Sequence, residues 1–118
     1  MKILVDAMGG DNAPLCVLQG AADALREFGD GMQLVLLGQK EVIEQTAKDN
    51  GIALDGMELV DCRQVVTMHD DPVKAARKMT DSSLVRGLTM LKNGEGDAFV
   101  SAGSTGAMHV AASLIVRT

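Results

Sequence analysis

The segment KILVDAMGG, residues 2–10, decides how the rest of the chain is read. Its near-continuous apolar run from Lys2 to Met8 ends in Gly9-Gly10, the pattern of a strand covered on both faces in a parallel sheet. Such a strand needs a crossover, and a helical pattern follows at once. Asn12 is placed to cap a first turn, Pro14 suits a first helical position, and Leu18, Ala21, Ala22, Leu25 and Phe28 recur at helical spacing. Gly29-Asp30-Gly31 breaks the chain, and QLVLLG (33–38) supplies a second buried strand.

The alternation continues. Residues 39–50 read as a polar helix with Val42, Ile43, Thr46 and Ala47 inward, stopped by Asn50-Gly51, and Glu58 to Asp61 as a third strand. Asp71 followed by Pro72 announces a short helix to about Lys78. Asp81 or Ser82 then caps another, with Leu84, Leu88 and Leu91 on one face and Asn93-Gly94 at its end. DAFVSA (97–102) is the fourth strand, and residues 105–117 a helix that is apolar almost all round. Strand alternating with helix at this spacing predicts an α/β fold, a three-layer sandwich with a mostly parallel sheet and right-handed crossovers. The chain stops at Arg117-Thr118 with no capping sequence after a helix expected to be buried, so that end reads as a truncation and the chain as less than a whole functional unit.

Bulk composition narrows the function. The 118 residues are 47% hydrophobic and 23% charged, as in a globular domain. Tryptophan and tyrosine are absent and the net charge is −5, so neither base stacking nor a broad phosphate-backbone footprint has material, and nucleic acid is not an expected partner. Cys16 and Cys62 lack any CxxC spacing and read as small buried hydrophobes in a reducing compartment. MKILVDAMGG lacks the apolar core of a signal peptide, and no window reaches the length of a membrane span. The expected location is cytoplasmic.

Two turns carry the candidate chemistry, because open parallel sheets bind ligands where strands end and helices begin. They are Met8-Gly9-Gly10-Asp11-Asn12-Ala13-Pro14 and Ser101-Ala102-Gly103-Ser104-Thr105-Gly106. In the second, glycines free the backbone, the amides of a helical first turn can converge on an anion, and Ser104 and Thr105 add hydroxyls. Phosphate is the natural occupant; the alternative is a turn in which Ser104 or Thr105 simply caps the helix. Neither GxGxxG after the first strand nor GxxxxGK[ST] is present, which lowers dinucleotide and ATP binding.

Asp6 and Asp11 could suggest magnesium, but Asp11 reads more simply as a turn residue and Asp6 as an acceptor of loop amides. No metal or cofactor is expected. Asp71 has a capping role next to His69 and Asp70, and His109 reads as a packed core histidine. Lys74, Arg77 and Lys78, at i, i+3 and i+4, set three cations on one helical face of an acidic chain, with Arg86 a further candidate. That face is either solvated or meets an acidic partner or a phosphate.

MKILVDAMGGDNAP, DPVKAARKMTDSSLVRGL and DAFVSAGSTGAM, in that order, resemble the N-terminal part of the bacterial phosphate acyltransferase family, and the resemblance covers essentially the whole chain. It implies a fold similar to the isocitrate and isopropylmalate dehydrogenases, and a dimeric, cytoplasmic enzyme peripherally associated with membrane. The implied reaction moves a long acyl chain from acyl carrier protein to inorganic phosphate, giving acyl phosphate for phospholipid synthesis. Family chains are roughly three times this length, so this portion alone is expected to be inactive. Met79 and Thr80 stand where the family usually has basic residues, His109 where it has an aliphatic one, and Ser104 where it often has Asn.

On this resemblance Asn12, Ser104 and Thr105 are the catalytic candidates. Gly9, Gly10, Asp11, Asp81, Ser82, Ser83, Ser101, Gly103 and Gly106 are candidates for binding phosphate or substrate, and the Lys74, Arg77 and Lys78 face for docking the acidic carrier protein. The competing readings are a nucleotide-binding half-domain of the same architecture and a non-catalytic fragment. The former would need an acidic ribose-binding residue after the second strand, and QLVLLGQK has none.

Overall fold

A computed structural model of the chain describes residues 1–10, 12–67, 70–103 and 105–116, with Asp30 and Thr105 described by backbone alone. Strands β1 (Lys2–Asp6), β2 (Gln33–Gly38), β3 (Met57–Asp61) and β4 (Ala98–Val100) form one sheet in the order β3-β2-β1-β4. Every neighbouring pair is parallel, with Leu4 opposite Val35 on one side and Phe99 on the other. The helices are α1 (Leu15–Phe28), α2 (Lys40–Asp49), α3 (Pro72–Lys78), α4 (Ser83–Lys92) and α5 (Thr105–Ile115).

Side chains alternate across a strand, so each face of the sheet gathers its own core. Leu34 and Leu36, with Ile3 and Val5, meet Leu18 and Ala21 of α1 and Ile43 and Ala47 of α2. Leu4, Val35, Leu37 and Cys62 turn to the opposite face, against Met90 and Leu91 of α4. Ala76 of α3, Leu84 and Leu88 of α4, and Ala107 and Ala111 of α5 extend that second helical layer. β2 is buried from Leu34 to Gly38 because helices cover it on both faces, which is why its sequence is continuously apolar. Leu4, Leu18, Leu36, Leu37, Ile43 and Leu88 are fully buried, each contributing about 1.5–3 kcal/mol relative to exposure.

Local signals fix the helix ends. The Asp71 side chain accepts from the amides of Val73 and Lys74 at the start of α3, and Ser82 Oγ accepts from Val85 N at the start of α4. Gly87 looks out of place in the middle of α4, yet a Cβ there would overlap the ring of Phe99. Its absence lets the helix settle onto β4.

Several expectations are corrected. α1 begins at Leu15 with Pro14 at the N-cap, and no side chain caps it; Asn12 contributes its carbonyl to Cys16 N instead. Cys16 is exposed, because it lies two residues, or about 200° of helix, from inward-facing Leu18. The same offset from Ala107 and Ala111 exposes His109, so α5 has one packed face and is not buried all round. Phe28 is 61% exposed in the last turn of α1, and Val42, on the flank of α2 beside Ile43, is also exposed.

Candidate functional site

β1 and β4 lie side by side, but the chain leaves β1 for β2 on one side and reaches β4 on the other. The loops that follow these two strands therefore diverge, and the crevice between them is where open parallel sheets bind ligands. The two turns singled out in the sequence are those loops.

Asp6, the last residue of β1, is only 5% exposed. Its Oδ1 accepts from Ser83 Oγ at 2.6 Å and from Met8 N at 3.0 Å, and its Oδ2 accepts from Ser101 Oγ at 2.9 Å. Ser101 Oγ in turn accepts the Gly103 amide at 3.1 Å. The Ser101 proton thus goes to the carboxylate while a lone pair takes the amide. Gly103 N–H points into this network and is engaged there.

Gly9 packs directly on this network. A Cβ there would sit 2.8 Å from Gly103 N and 2.9 Å from both Asp6 Oδ2 and Ser101 Oγ, so a side chain would force the turns apart. Gly10 has φ +100°, a conformation costly for other residues, and a Cβ there would lie 3.4 Å from Ala102. Gly106 is exposed at the start of α5, where a Cβ would come 3.5 Å from Pro72 of α3.

The structure thus brings Gly9, Gly10, Ser83, Ser101 and Gly103 together, with Asn12 exposed on the first loop. Thr105 opens α5, while Asp11, Ser104 and His69 lie outside the described residues. Ser82 is fully buried and its hydroxyl caps α4. The Asp81 carboxylate accepts from Arg63 N at 3.0 Å and from Arg86 Nη1 at 3.1 Å. The Arg63 amide, then Arg86, hold its pKa below the ordinary value. Asp61 is likewise lowered, first by the Lys40 amide and then by the Arg63 side chain.

Arg86 also donates to Asp61 O, so its charge is engaged with β3 and Asp81 instead of extending the basic face of α3. Lys74, Arg77 and Lys78 are exposed opposite buried Ala75 and Ala76, and none forms an ion pair among the described residues. Among the described residues no group of three His, Cys, Asp or Glu side chains could hold a metal ion, and no helix is long and apolar enough to cross a membrane.

Sequence reading anticipated that Asp6 accepts a loop amide, and it missed the two hydroxyls. Those arrive from 77 and 95 residues away, beyond any local pattern. The available signal was an acidic residue closing an apolar buried strand, which must find partners where it lands.

With this geometry in view, similarity to known proteins becomes specific. The profile of the family described as "Fatty acid synthesis protein" matches residues 1–118, and the chain belongs to that family. It is 48% identical over 116 residues to the phosphate acyltransferase of Caldicellulosiruptor bescii, covering 98% of this chain and 34% of that protein. Identity to the phosphate acyltransferase of Chlorobaculum parvum is 47%, and to that of Clostridium kluyveri 42%, with the same coverage. The chain therefore spans about one third of the length of the curated relatives it matches.

Proposed function

We propose that the whole protein, at the length of its relatives, transfers a long fatty acyl group from acyl carrier protein to inorganic phosphate, yielding acyl phosphate for phospholipid synthesis. The observation that carries this reading is the direct backbone packing of Gly9 against Gly103 at the β1–β4 crevice, which brings the two glycine turns against each other. The names of the relatives support it.

The chemistry suits such a site. Near neutral pH a substantial share of inorganic phosphate is dianion, its second ionisation lying above the pKa of about 6 of phosphate esters, and the dianion is itself a nucleophile. A phosphate oxygen attacks the thioester carbonyl, the C–S bond breaks, and the carrier leaves as a thiolate that takes up a proton. No protein nucleophile is required. The chain must orient phosphate against the carbonyl and supply donors to the tetrahedral oxyanion. In this reading the α5 opening at Thr105 and Gly106 holds phosphate, Gly9, Gly10 and Asn12 face it across the crevice, and Ser83, Ser101 and Gly103 support both turns, with Asp11 and Ser104 kept as candidates on the resemblance alone. Asp81 and Ser82 act indirectly, by setting the start of α4. The Lys74, Arg77 and Lys78 face receives the acidic carrier protein. Cytoplasmic location, a homodimer and peripheral membrane association, through regions outside this chain, belong to the same proposal.

The test is incubation of the whole protein with acyl carrier protein thioester, with and without phosphate. Acyl phosphate that forms only with phosphate supports the reading; hydrolysis or no turnover removes it.

A further inference from the structure

We infer that Asp6 is a positioning residue that fixes the spacing and aim of the two crevice turns, and through them the phosphate. The inference rests on the crevice being a phosphate site. The Asp6 carboxylate lies against Gly9 and is almost fully buried. It joins three separate elements: the β1 turn through Met8 N, the start of α4 through Ser83 Oγ, and the end of β4 through Ser101 Oγ. Ser101 passes the constraint on to Gly103 N, and Gly9 rests on the same atoms.

No apolar residue could substitute, because the buried Ser83 hydroxyl, the part-buried Ser101 hydroxyl and the Met8 amide would lose their acceptor. Nor would an amide side chain suffice. Asn offers one oxygen where three donors converge on two, so its NH2 would meet a donor and leave that proton without the carboxylate acceptor it has in the wild type. The turns would then drift by fractions of an ångström. A displacement of about 1 Å can cost about 100-fold in rate when a reaction depends on near-attack geometry.

The experiment uses the whole protein carrying Asp6→Asn, Ser83→Ala, Ser101→Ala or Ser101→Thr. Asp6→Asn should lower kcat/KM for phosphate by about 10- to 100-fold while the KM for the acyl donor stays within twofold. Ser101→Ala should follow it, Ser101→Thr should restore most of the loss, and Asp6→Asn with Ser101→Ala should be no worse than Asp6→Asn alone. Hydrogen exchange at the Gly103 amide supplies an activity-independent readout: it should be slow in the wild type and fast in Asp6→Asn and Ser101→Ala. Equal losses for both substrates, or unchanged Gly103 exchange, would overturn the inference. A wild type that makes no phosphate-dependent product would remove the acyl-transfer reading instead, with Gly103 exchange still deciding whether Asp6 positions the turn.

Discussion

Ser101 Oγ, one residue past β4, donates to Asp6 Oδ2 at the end of β1 across 2.9 Å, tying the two strands together where their loops diverge. The sheet is thereby closed by side chains at the point where topology opens it. Ladder hydrogen bonds pair β1 with β4 only from Ile3 to Val5, so the Ser101 bond continues the join beyond the strands, and the one from Ser83 ties the start of α4 to the same carboxylate.

Gly87→Ala should destabilise the whole protein by about 1–3 kcal/mol through overpacking, although Ala is the better helix former by about 1 kcal/mol. The added Cβ meets Phe99, whose ring lies on β4. Thermal unfolding of Gly87→Ala beside Gly87→Ala/Phe99→Leu checks the cause: the second change should recover part of the loss. A higher midpoint for the single variant would contradict this packing.

The two cysteines should differ sharply in reactivity. Cys62 is fully buried, its thiol pushed up to about 11 by desolvation, whereas Cys16 is exposed on α1. Maleimide labelling of native protein near pH 7.5, read by peptide mapping, should modify Cys16 and leave Cys62 until denaturant is added. Rapid labelling of both would place Cys62 outside the core.

Acid should remove stability through Asp61 and Asp81. Both have folded pKa values below the ordinary 3.8, so their contribution is complete above that value, declines as the unfolded chain takes up protons first, and is gone below the folded pKa. The thermal midpoint should be insensitive to these groups between pH 7 and pH 5 and fall toward pH 3. Asp81→Asn should shrink the difference between pH 5 and pH 3, and an undiminished difference would deny Asp81 a part in it. Both carboxylates are exposed, so the effect is small.

Replacing Lys74, Arg77 and Lys78 together with Ala should raise the KM for a carrier-protein thioester roughly tenfold at low salt and flatten its salt dependence. Each single change should cost under about 1 kcal/mol. A short thioester substrate should be little affected; equal losses with both substrates would end the docking proposal.

Fold and site were legible to different depths. QLVLLG showed itself as a central strand because burial on both faces demands an unbroken apolar run, and Asp71-Pro72 and Ser82 marked their helices because caps are local chemistry. Periodicity gave the face of each helix but not where it runs out of neighbours, hence the exposed Phe28, while His109 is exposed because α5 packs through the opposite face, at Ala107 and Ala111. At the site, glycine and hydroxyl patterns located both turns. The carboxylate joining them stayed hidden, since Ser83 and Ser101 meet Asp6 only after the sheet assembles in the order β3-β2-β1-β4.

The central claim is that the paired glycine turns hold phosphate, and isothermal titration of the whole protein with inorganic phosphate, before and after Gly103→Val, tests it most directly. A Cβ at 103 already approaches Ser101 Oγ at 3.3 Å and Gly9 Cα at 3.4 Å, so the two further methyl groups of valine have to displace one turn from the other. The account predicts measurable binding in the wild type and a loss of at least about tenfold in the variant, at a thermal midpoint showing that the variant is folded. Unchanged phosphate affinity in a folded Gly103→Val protein would contradict it.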